Sequence, residues 1–144
     1  MEEIKSSILL RLSRVSTVED VAELVNLSVE TVRRKFARAE GITLGRYIDL
    51  CKIVAMAEQL ILSDEPCKLI CYELGLRDDV GAKLFKKHTG MTMQQFREMY
   101  RPKFLATEKN PLVPAELLEA GYSLSIVERY AFLRTIVSNS LRQE

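Results

Sequence analysis

The chain has 144 residues, 47% apolar and 28% charged, with a formal net charge of +1. That length buries a core without disulfides or metal, and the near-neutral balance gives little support to nucleic-acid binding, so a polyanionic partner must be met by locally placed charges. The opening MEEIKSS lacks a basic leader and no apolar run reaches the roughly 20 residues of a membrane span, so a cytoplasmic protein with no membrane partner is expected.

Ile4, Ile8, Leu9 and Leu12 recur at helical spacing and predict a first helix. Ser16 and Glu19 have the spacing of a capping box before a short helix with Val18, Val21, Ala22 and Val25 inward. After a turn at Asn26-Leu27, Ser28 caps a helix that runs to about Ala39 and stops at Gly41. Leu44 to about Leu62 reads as a long helix, apolar along Tyr47, Ile48, Cys51, Val54, Ala55, Leu60 and Ile61, and Pro66 marks its end. A helix over Cys67–Leu74, a turn at Gly75-Leu76 and a helix from about Asp78 to His88 follow, closed by Gly90. Thr92 and Gln95 then form a second capping box, before a short helix to about Tyr100.

Beyond Phe104 the character changes. Residues 107–111 read as a linker, and Pro114 opens a short helix that ends at Gly121. Ser125 and Glu128 cap a last helix with Ile126, Tyr130, Leu133, Val137 and Leu141 in one apolar stripe. No period-2 strand pattern is visible. The expected class is all-α, with residues 1–104 as one domain and residues 105–144 as a helical C-terminal extension.

The most informative feature is an internal repeat at an offset of 49 residues. Leu27 matches Leu76, Phe36 matches Phe85, Gly41 matches Gly90, Thr43 matches Thr92, and Tyr47 matches Phe96. Val21, Ala22 and Val25 match Ile70, Cys71 and Leu74. The fold therefore contains one unit twice. A short helix, a turn of three or four residues and a second helix form a helix-turn-helix, whose second helix needs a polar outer face to enter a major groove.

Residues 28–38 supply such a face: Val29, Val32 and Phe36 turn inward, and Glu30, Thr31, Arg33, Arg34 and Arg38 spread outward. Its counterpart carries Lys83, Lys86, Lys87 and His88 around inward Val80, Leu84 and Phe85. Arginine suits guanine bidentately and lysine usually meets phosphate. A linking helix of about 18 residues is roughly 27 Å long. With the width of its flanking units, it sets the two second helices about one DNA turn, roughly 34 Å, apart.

Residues 4–104 resemble the DNA-binding domain of the AraC/XylS family of bacterial transcription regulators. The resemblance rests on STVEDVAELVNLSVETVRRKFARAEGITLGRYI, KIVAMAEQLILSDEP and FKKHTGMTMQQFR. Phe85, Lys86, Gly90, Thr92, Phe96 and Arg97 hold the places of the family's closing motif. The resemblance implies a sequence-specific regulator that binds double-stranded DNA and contacts RNA polymerase, with no N-terminal effector domain. It also places base readers on Glu30, Arg33 and Arg34, with Thr31 beside them. The chain departs from the family where Leu44 and Met93 replace prolines, Lys52 replaces arginine and Gly81 replaces a bulky residue. Asp78 and Asp79 stand where phosphates or bases would lie, so the second unit is expected to grip the backbone weakly, with base reading by that unit left open.

The tail's apolar stripe must be covered, by the front domain or, alternatively, by a second copy or another protein. Cys51, Cys67 and Cys71 show no CxxC spacing and read as reduced, buried thiols. His88, the only histidine, reads as a surface residue and not a metal ligand. No nucleophile motif or phosphate loop points to an enzyme, and nothing calls for a cofactor. The alternative function is a protein-binding adaptor on a helix-turn-helix scaffold.

Overall fold

The computed structural model of the protein describes residues 1–113 and 124–142. Among them every regular element is helical. The order is α1 (Glu2–Leu10), a 3-10 turn (Leu12–Arg14), α2 (Val18–Val25), α3 (Val29–Glu40), α4 (Leu44–Leu62), α5 (Cys67–Glu73), α6 (Asp78–Thr89), α7 (Met93–Thr107) and α8 (Ile126–Arg142). The short helix expected over Pro114–Gly121 lies outside the described residues.

Local chemistry sets most boundaries. Ser28, Thr43 and Thr92 each accept a hydrogen bond from the backbone N–H three residues on, opening α3, α4 and α7. Gly41 and Gly90 close α3 and α6 with φ of 75° and 76°, a left-handed cap that glycine adopts without steric cost. Ser125 and Glu128 bond reciprocally at the start of α8. One cap is displaced by a residue from expectation. Thr17, not Ser16, caps α2, and its partner is Asp20, not Glu19. The Asp20 carboxylate accepts from the N–H groups of both Ser16 and Thr17, so backbone donors hold its pKa below the usual carboxylate value.

The repeat is preserved in three dimensions. In both units the residue after the turn bonds back into the first helix: Leu27 N–H donates to Ala22 at 3.0 Å, and Leu76 N–H to Cys71 at 2.9 Å. Asn26 and Gly75 hold the left-handed position between the helices. Phe36 packs on Tyr47 with ring centroids 5.0 Å apart, and Phe85 packs on Phe96 at 5.3 Å. Each pair anchors its own apolar core, one around the N-terminal half of α4 and one around its C-terminal half.

Gly81 has a packing role that its helix propensity hides. A Cβ at this position would lie 2.4 Å from Cys71 Sγ. The corresponding pair in the first unit is Ala22 and Val32, both buried, so the two units fill one crossing with bulk on opposite partners. Gly81→Ala is expected to lower the urea midpoint, because overpacking costs about 1–3 kcal/mol against a helix-propensity gain of roughly 1 kcal/mol. Adding Cys71→Ala should recover most of the loss. A single variant as stable as the parent would show that the contact yields freely.

Gly75 is more constrained. Its φ is +72°, and a Cβ there would sit 2.0 Å from the backbone oxygen of Ser13. The turn of the second unit is thus pressed against the chain leaving α1.

Three expectations about helix faces and lengths are corrected. Helix α7 runs to Thr107, past Tyr100 and with Pro102 inside it; Pro102 is exposed, so water can take over the backbone partner it leaves. Helix α4 is not one-sided: Leu50, Ile53, Met56 and Ala57 are buried as well. Leu9 is 46% exposed, since α1 needs only Ile4 and Ile8 to seat against the first core.

Together with α7, α8 covers faces of α4 that one flanking unit would leave open. Ile126 joins the first core, Leu133 and Val137 join the second, and Tyr130 touches both. Arg129 pairs with Glu58 of α4 at 3.3 Å, and Tyr100 OH donates to the Ile136 carbonyl at 3.1 Å. The last helix therefore braces the two units against the linker. Leu141 lies at the rim of this contact and is 45% exposed. Among the described residues no helix is long and apolar enough to cross a membrane.

Candidate nucleic-acid interface

Helix α3 presents Glu30, Arg33, Arg34 and Arg38 to solvent, with Val32 and Phe36 fully buried behind them. At about 100° per residue the four fall on one continuous exposed arc. Thr31, at the edge of that arc, is half-buried. Its Oγ1 accepts a hydrogen bond from Ser28 Oγ at 2.7 Å, so its hydroxyl also serves the start of the helix. Lys35 lines a cleft against α1 with Ser7 and Leu27, away from the arc's centre.

Helix α6 presents Lys83, Lys86 and Lys87 on the equivalent arc, all exposed. Lys86 also borders a hollow of about 440 Å³ with Gly90, Gln95 and Leu141. Two residues differ from expectation. Val80 is 44% exposed and does not turn inward; Gly81 takes the buried place that Val32 has in α3. His88 is not a free surface group. It is half-buried, with Nδ1 3.0 Å from Tyr130 OH, and Arg134 donates to its carbonyl. Burial holds the His88 pKa below its ordinary value.

Of the two acidic residues at the start of α6, one has a cationic partner. Asp79 pairs with Arg77 at 3.2 Å, and Asp78 accepts from the Asp79 N–H at 3.0 Å. Arg77 stands where Ser28 stands in the first unit and gives no side-chain cap.

Behind these arcs, basic side chains fix the frame. Arg97 donates to the carbonyls of Leu60 and Ser63, and Arg101 to that of Ile61. Cations there satisfy the terminal carbonyls of α4 and complement its dipole. Sequence reasoning had placed Arg97 in a motif without this role. The repeat carries no signal for it, since Arg97 aligns with Ile48; Arg101 alone aligns with a basic residue, Lys52. Lys52 is 2% exposed and reaches Ser16 Oγ at 3.4 Å. Burial lowers its pKa, while Asp49 and Asp20 oppose that shift.

The thiols have no matching chemistry. Cys51 and Cys71 are buried and Cys67 half-buried. Burial pushes the Cys51 thiol up to about 12, which suppresses the thiolate that reactivity requires.

Residues 21–99 match the family described as a helix-turn-helix domain. The bifunctional transcriptional activator/DNA repair enzyme AdaA of Bacillus subtilis (strain 168) is 32% identical over 84 residues, which make up 58% of this chain and 40% of that protein. The chain thus matches less than half of that relative's length. Among solved structures, the C-terminal domain of AraT, a response regulator from Geobacillus stearothermophilus, superposes with a TM-score of 0.63 at 24% identity; the match covers 67% of this chain and 82% of that one. The DNA-binding domain of the global transcriptional factor AdpA, solved with a target DNA, gives 0.65 at 19% identity, covering 71% and 93%. These two likenesses establish the fold. With the matched segment spanning both repeated units, the chain belongs to the AraC-type helix-turn-helix family of DNA-binding transcription regulators.

Proposed function

We propose that the protein is a sequence-specific regulator that seats α3 and α6 in two successive major-groove segments of one duplex. The observation that carries this reading is the doubled unit, with a basic, solvent-facing second helix in each copy. Helix α4, with 19 residues, spans about 28 Å, close to one turn of DNA once the flanking units are added. Glu30, Arg33 and Arg34 read bases, with Thr31 beside them. Arg38, Lys83, Lys86 and Lys87 hold phosphates. Residues 1–104 carry these contacts, and α8, in the C-terminal extension, braces them. Contact with RNA polymerase belongs to the same reading, by family resemblance.

The adaptor alternative rests on the low net charge, on Asp78, Asp79 and Gly81, and on the apolar stripe of α8, and two of these have another account. Gly81 is accounted for by the Cys71 contact, and the apolar stripe of α8 is largely spent on the protein's own cores.

Selection from random duplexes tests the proposal. The enriched site should contain two conserved segments about one helical turn apart on one face, and affinity should fall steeply with added salt. A single short conserved segment would remove the two-segment arrangement, and no enrichment would remove specific binding altogether.

A further inference from the structure

The two second helices differ at their reading positions in a way that points to different bases. At the offset of 49 residues, Glu30, Thr31, Arg33 and Arg34 correspond to Asp79, Val80, Ala82 and Lys83. Alanine and lysine thus replace the two arginines suited to guanine. Val80 is 44% exposed and Ala82 is exposed. They lie on the open side of α6 because Gly81, between them, is turned against Cys71. At about 100° per residue they flank a polar ridge of Asp79, Lys83 and Lys87. Arg77 engages the Asp79 carboxylate, which leaves the lysines as the uncompensated charges of the arc.

A branched hydrocarbon on an otherwise charged face is matched in the major groove by one base. Thymine alone presents an apolar group there, its 5-methyl. Building on the DNA-binding reading above, we propose that α6 selects thymine by contact of its methyl groups with Val80 and Ala82, while Lys83, Lys86 and Lys87 hold the phosphates. The two halves of the preferred site then differ in kind: guanine under α3 and thymine under α6. That asymmetry gives the monomer one direction on the duplex.

The test uses the full chain and the duplexes returned by random selection. Arg33→Ala identifies the half read by α3. Thymines of the other half are then replaced by deoxyuridine, which deletes only the methyl groups. Affinity should fall about three- to five-fold per contacted methyl. Val80→Asn, at an exposed site that leaves the fold intact, should abolish the difference between thymine and uracil at its position. Unchanged affinity for the deoxyuridine duplex, or a guanine required in that half, overturns the proposal and leaves the DNA-binding reading standing. That outcome would turn Val80 into a candidate protein contact. A selection that returns no preferred duplex overturns both.

Discussion

Replacing Arg33 and Arg34 together by alanine is expected to erase the protein's preference for its best duplex. Both side chains are exposed on α3, and surface changes of this kind move stability by only about 0.5 kcal/mol. Loss of function can therefore be read as loss of contact. Each arginine bonded bidentately to a guanine is worth about 1–3 kcal/mol of discrimination, so the pair should cost about 30-fold to 10⁴-fold in selectivity. Binding to random duplex should change far less, and the slope of log affinity against log salt should stay close to that of the parent. Titrations of the selected and a scrambled duplex at several salt concentrations separate the cases. If both duplexes lose affinity by the same factor, or the salt slope drops by nearly two, these arginines hold phosphates and the assignment of base readers is wrong.

The second large effect is expected far from the DNA. Leu133 is fully buried and joins the core of the second unit from α8, well outside the segment that matches the family. Leu133→Ala should destabilise the protein by about 2–5 kcal/mol through lost transfer energy and a residual cavity. That corresponds to a fall in melting temperature of roughly 10 °C. Val127→Ala, on the exposed side of the same helix, serves as the control and should change little. Equal melting temperatures for the two variants would mean that α8 is not seated along α4. Because α8 ties both units to the linker, Leu133→Ala should also weaken binding to a duplex with both segments more than to one with a single segment.

Much of this architecture is legible in the sequence because the signals are local. Ser28, Thr43, Thr92, Gly41 and Gly90 act within one turn of helix, and the structure places each boundary where they do. The misplaced cap at Ser16 shows the limit of that logic. Two adjacent hydroxyls and two adjacent acids offer overlapping boxes, and only the path of the chain chooses between them. The burial of α4 on more than one face depends in part on a helix more than 60 residues away, which no local pattern encodes. Val80 was misread for a subtler reason. Its spacing from Leu84 suggests an inward face, yet the repeat aligns Gly81 with buried Val32. Register against the first unit was the better guide, and it is also what exposes the contrast between Val80 and Thr31 at the candidate interface.

The Ser13–Gly75 contact means that the halves of this molecule do not fail independently. A methyl group introduced at that bend must shove the segment entering α2 outward, and with it the threonine that starts the first unit's fold. Damage written into one half would be felt in the other, so the protein's tolerance for sequence drift is set by the pair and not by either half alone.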